Sequence, residues 1–113
     1  MACGKRILAG MLLCGVSFAA HADHCYGTIS ALNIDSSGNV AIYGSFGGWF
    51  QVCNLTSVWK AVDPSICKPW TAVLTTLRVT QEQVDIAYGS ATCSTLPHDG
   101  ATPAPAYVAY YLP

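Results

Sequence analysis

Val40-Ala41-Ile42-Tyr43-Gly44-Ser45-Phe46-Gly47-Gly48-Trp49-Phe50-Gln51-Val52-Cys53 is the stretch whose reading decides the fold. Val40, Ile42, Gly44 and Phe46 alternate with Ala41, Tyr43 and Ser45, which is the period of a strand with one buried face. Gly47-Gly48 marks a tight turn, because glycine reaches backbone conformations that side chains forbid. Trp49 to Leu55 then predicts a second strand, with Phe50 and Val52 on one face. The stretch is a hairpin.

Upstream, Asp35-Ser36-Ser37-Gly38 is a good hairpin connection, with Gly38 free to take a positive φ. Before it, Cys25 to Ile34 reads as a strand with an irregularity. Ile29 has one parity and Leu32 and Ile34 the other, so either both faces are buried or a β-bulge shifts the phase between Ile29 and Leu32. Downstream, residues 56–68 form a long connection. Pro69 suits a first helical turn, and Trp70, Val73, Leu74 and Leu77 make the apolar stripe of an amphipathic helix. Val84, Ile86 and Tyr88 predict a strand ending at Gly89. Residues 96–105 form a Pro-rich loop, and Tyr107 to Leu112 a terminal strand. This β-β-β-α-β-β order predicts a mainly β domain with one helix, an OB-like five-stranded barrel. A plain antiparallel α+β sheet has the same elements in the same order.

Cys53, Ser65-Ile66-x-x-Pro69-x-x-x-x-Leu74 and Thr80-x-x-x-Val84-x-Ile86 together resemble the subtilase cytotoxin B subunit and its relatives. The resemblance covers the middle third of the chain. It implies an OB fold, assembly into a pentameric ring and binding of cell-surface glycans. No position before Cys53 matches, so no sugar-contacting residue is carried over. The chain is also similar to small exported proteobacterial proteins of unassigned role.

The N-terminus predicts export. Lys5 and Arg6 precede an apolar run of 14 residues from Ile7 to Ala20, followed by the small-x-small pattern Ala20-His21-Ala22. A spanning helix needs about 20 apolar residues, so the run reads as a cleaved signal peptide, residues 1–22, rather than an anchor. Residues 23–113 form the single mature domain, in the periplasm or outside the cell. That domain has Lys60, Lys68 and Arg78 against six acids, a net charge of −3. Three basic residues cannot neutralise a phosphate backbone, which excludes nucleic acid as a partner.

Cys25, Cys53, Cys67 and Cys93 remain in the mature chain, an even number for an oxidising compartment. Four cysteines allow three pairings. Cys53–Cys67 with Cys25–Cys93 is preferred, the first closing a local loop and the second tying early chain to late. A zinc site is disfavoured by the absence of a CxxC.

Catalytic chemistry finds no support: GxSxG, HExxH and phosphate loops are absent. His98-Asp99 are neighbours in a loop, where side chains commonly diverge. A new N-terminus at Asp23-His24 has the form of a copper chelate, but no further histidine or methionine cluster supports it, so neither metal nor cofactor is expected. Aromatic residues are the better lead. Trp49 and Phe50 beside Gly47-Gly48, and Trp59 in the long connection, are the candidate binding residues, because rings stack on sugar faces and anchor protein interfaces. Asn54-Leu55-Thr56 matches the N-glycosylation triplet. The expected function is a non-catalytic binding module for a glycan, with a homo-oligomer as its assembly. The alternative is a periplasmic protein–protein module, an inhibitor or assembly partner.

Overall fold

The computed structural model describes residues 23–89 and 92–110. The predicted signal segment 1–22 and the last residues of the predicted terminal strand lie outside that range. Among the described residues, six strands and one helix occur in the order β1 (Asp23–Gly27), β2 (Ile29–Ile34), β3 (Asn39–Gly44), β4 (Gly48–Asn54), α1 (Pro64–Thr80), β5 (Val84–Tyr88) and β6 (Tyr107–Tyr110), with a 3-10 turn at Cys93–Thr95. The domain is mainly β with one helix, as the alternation and the apolar stripe predict.

The strands form two antiparallel three-stranded sheets, ordered β1–β5–β6 and β2–β3–β4. Neither is closed into a barrel. The single first strand expected over Cys25–Ile34 is divided at Thr28, so its two halves pair in different sheets. The parity conflict in that segment has the cause foreseen for it: the register with β3 shifts between Ile29 and Ala31. Residues 23–34 thereby join the sheets covalently. A parallel bridge between Phe50 and Asp99 adds a contact from β4 to the loop before β6.

Ile29, Val40, Ile42, Phe50 and Val52 come from one sheet, Val84, Ile86 and Tyr88 from the other, and Leu74 and Leu77 from α1; all are at most 2% exposed. They make one core. Burying such side chains contributes about 1.5–3 kcal/mol each, the term that lets so small a domain hold its fold.

The helix begins five residues before the expected Pro69. Asp63 caps it by accepting from the Ser65 N–H at 2.9 Å, and Pro64 takes the first turn, where a missing N–H is harmless. Asp63-Pro64 was the start signal, and Pro69 sits inside the helix instead. Phe46 also departs from expectation. β3 ends at Gly44, and Phe46 lies in the turn, its ring 5.5 Å from that of Phe50. Gly48 is at φ +128 with the His98 ring where a Cβ would stand, so only glycine fits this start of β4.

Both preferred disulfides are present. Cys25–Cys93 spans 68 residues and Cys53–Cys67 spans 14. The first ties β1 to the 3-10 turn, and the second ties β4 to α1. Among the described residues, no helix is long and apolar enough to cross a membrane.

Candidate functional site

The register of β1–β5–β6 lays six residues on its outer face in two rows. Tyr26, Asp85 and Ala109 form one, and His24, Ala87 and Tyr107 the other. In each row the central strand carries a small or acidic residue between neighbours from the two outer strands. Ala87 is the hinge of the arrangement: a methyl group leaves His24 and Tyr107 room to meet above it. Tyr107 Oη lies 3.1 Å from His24 Nδ1 and donates to Asp85 Oδ2 at 3.3 Å. His24 Nδ1 is 3.0 Å from Asp85 Oδ1 and 3.3 Å from Oδ2, within hydrogen-bond distance of the carboxylate.

Tyr26 stacks on His24 with ring centroids 5.9 Å apart and planes 11° from parallel, while Tyr107 meets the same imidazole edge-on at 5.8 Å. Tyr26 and Tyr107 are 47% and 40% exposed, whereas Asp85 beneath them is 9% exposed. Partial burial and then the Asp85 carboxylate hold the Tyr107 phenol above its usual range. The face is therefore a platform of three rings over one carboxylate, with Tyr26 stacked on His24 and Tyr107 edge-on to it. Beside it an open pocket of 390 Å³ is lined by His24, Cys25, Tyr26, Phe46, Cys93 and Ser94, within the range of about 300–1,000 Å³ usual for small-ligand sites. Its apolar walls come from Phe46 and the disulfide, and its polar ones from His24, Tyr26 and Ser94.

The residues singled out in the sequence fall elsewhere. Trp49 is half-buried on the outer face of β4, directly across from Tyr43, with the two rings 5.5 Å apart. Phe50 is a correction: its ring is in the core at 2% exposure and offers nothing to a ligand. Its neighbour Trp49 has the opposite parity, and one strand cannot present both. Trp59 is half-buried in a tight turn closed against Val62, and the Lys60 ammonium lies 4.9 Å from its ring centre. That ammonium also donates to the Thr102 carbonyl at 2.7 Å, which ties the turn to the Pro-rich loop. Trp49 and Trp59 are thus not brought together with the platform.

Asn54 is 5% exposed, and its Nδ2 donates to the Ser37 carbonyl and to Asn39 Oδ1, so the glycosylation triplet is used in folding. His98 packs its ring 5.5 Å from Phe50, and Asp99 exchanges backbone hydrogen bonds with Trp49 and Gln51. This pair covers the edge of β4. No group of three or more metal-ligating side chains occurs among the described residues, and His24 Nδ1, the nitrogen nearest the backbone, is already engaged by Asp85.

Comparison with family models, curated proteins and solved structures finds no match to this chain.

Proposed function

We propose that this chain is an exported, non-catalytic binding module that takes a carbohydrate on the outer face of β1–β5–β6. The observation that carries the reading is the platform itself. Tyr26 and Tyr107, 47% and 40% exposed, offer ring surface to the apolar face of a sugar, the exposed His24 lies between them, and an open pocket adjoins them. Export is supported by the signal-like N-terminus and by two disulfides in a small domain. The test is binding to immobilised glycans. Tyr26→Ala is expected to lose binding, and Trp49→Ala to retain it.

An OB-like architecture is part of this proposal. Its supports are the passage of residues 23–34 from one sheet into the other, the helix between the fourth and fifth strands, and the parallel Phe50–Asp99 bridge across the open side. Assembly into a ring is proposed through the exposed face of α1. Thr75 and Thr76 there donate their hydroxyls to the Thr71 and Ala72 carbonyls at 2.8 and 3.0 Å, and Val79 is 77% exposed. Such a face offers mostly methyl groups, with Lys68 and Arg78 its exposed charges.

A specific observation favours the second reading, a protein–protein module. The Tyr43–Trp49 pair lies on the outer face of the other sheet, with Tyr43 42% exposed. Aromatic pairs of this kind anchor interfaces. Loss of a protein partner on Trp49→Ala, with no glycan bound by the wild type, would favour it.

A further inference from the structure

The two disulfides differ in what surrounds them. Cys53 and Cys67 are both at 0% exposure, between β4 and α1. Cys25 is 3% exposed on β1, but Cys93 is half-buried in a 3-10 turn none of whose residues is buried. Cys25 and Cys93 both line the open pocket. A disulfide opens when a thiolate attacks one of its sulfurs, so access to that sulfur selects the bridge and the end that react.

We infer that Cys93 Sγ is a thiol-exchange site for low-molecular-weight thiols that enter the pocket. An incoming thiolate attacks Cys93 Sγ and forms a new S–S bond to it. The Cys25–Cys93 bond breaks, and Cys25 Sγ leaves with the electron pair and takes a proton from water. A second thiolate then attacks the small-molecule sulfur of the mixed disulfide and releases Cys93 as a thiolate. Two small thiols are oxidised to one disulfide, and one protein disulfide is reduced to a dithiol. Attack at Cys25 is blocked by its own burial on the inner side of β1, where it is 3% exposed, and attack at Cys53–Cys67 by the core.

The step alters the pocket without dismantling the domain. Cys93 and Ser94 form one wall, and exchange removes their covalent tie to β1. The bond from the Cys93 N–H to Asp23 Oδ2, at 2.8 Å, remains to hold the turn. The core contacts of β5, α1 and the second sheet do not pass through this bridge.

The experiment treats the folded, oxidised protein with millimolar glutathione, quenches with acid, alkylates free thiols and maps peptides. The expected result is glutathione on Cys93, alkylated Cys25, an intact Cys53–Cys67 bridge and an unchanged circular dichroism spectrum. An adduct on Cys25, opening of Cys53–Cys67 at the same rate, no adduct at all, or reaction only together with loss of the fold would overturn the assignment. A second measurement is independent of the bridge. The Cys93 thiol of C25S should react with Ellman's reagent roughly ten-fold faster than the Cys25 thiol of C93S. Equal rates would contradict the inference.

Discussion

His24 and Asp85 are 61 residues apart in sequence, and their side chains meet at 3.0 Å, Nδ1 to Oδ1, on the outer face of the first sheet. Asp85 is the acceptor for both His24 and Tyr107 and is nearly covered by them. Its removal leaves His24 Nδ1 and Tyr107 Oη only each other, 3.1 Å apart, and solvent. Because the histidine side chain is 37% exposed, solvent takes up much of that loss. Asp85→Ala is therefore expected to cost about 1 kcal/mol in urea unfolding. A loss of several kcal/mol would make Asp85 a core residue rather than part of a surface site.

The Ala87 methyl should matter more than its size suggests. It lies between His24 and Tyr107 on the central strand and is 1% exposed. Ala87→Leu puts a branched side chain where the two rings meet, and the expected outcome is loss of the 3.1 Å contact between Tyr107 Oη and His24 Nδ1. The phenol absorbance titration of Tyr107 would report it, because separation from Asp85 lets that phenol ionise at lower pH. An unchanged titration would show that the rings tolerate the wedge.

Tyr88 carries the clearest pH dependence. It is 1% exposed, its hydroxyl makes no hydrogen bond among the described residues, and burial raises its phenol well above the usual range. With the folded pKa above the unfolded one, the native state holds the proton more tightly. Its contribution is fully present below about pH 10 and is lost as pH rises beyond that value. Tyr88→Phe removes the unpaired hydroxyl. It is expected to stabilise the domain by about 1 kcal/mol at neutral pH and to flatten the alkaline decline. Thermal melts of both proteins from pH 7 to 11 check the two effects together.

Chain entropy orders the disulfides. Closing the 14-residue separation contributes about 3 kcal/mol and the 68-residue separation about 4 kcal/mol. Cys25→Ser should therefore hurt at least as much as Cys53→Ser in chain-entropy terms. The Cys53→Ser variant adds a core defect at a fully buried position, so its melt should also broaden. A Cys25→Ser protein as stable as wild type would show that the first bridge constrains little.

The helix separates fold from assembly. Leu74 is fully buried, so Leu74→Ala should cost about 2–5 kcal/mol. Thr75 is exposed, so Thr75→Arg should leave stability unchanged while dissociating a ring. Light scattering of the wild type decides the point: a monomer removes the ring and brings the protein–protein reading forward.

Local pattern made much of this legible before the structure. Alternation over Val40–Gly44 and the stripe Trp70–Leu77 depend only on neighbouring residues, and so does the parity conflict at Ile29. The disulfide preference rested on chain order. The division at Thr28 was not legible, because which strand pairs with which is a property of residues far apart. Asp63-Pro64 was a legible cap and start, overshadowed by Pro69. The platform was missed for the same reason as the sheet pairing. In the sequence His24 stands beside the expected cleavage site, Asp85 lies between Val84 and Ile86 in a strand, and Tyr107 starts the terminal strand. Nothing local joins them; the small residue at Ala87 in a buried strand was the one available sign. Aromatic counting pointed to Trp49 and Phe50, where adjacent parity already required one of the two to face inward.

The central claim is that the outer face of β1–β5–β6 binds sugar. The most direct measurement is chemical-shift mapping of the processed protein as free glucose, galactose and N-acetylglucosamine are added to millimolar concentration. Saturable shifts are expected, confined to His24, Tyr26, Asp85, Ala87, Tyr107 and the adjoining Ser94. Shifts centred on Tyr43 and Trp49, or no shift with any sugar, would contradict it.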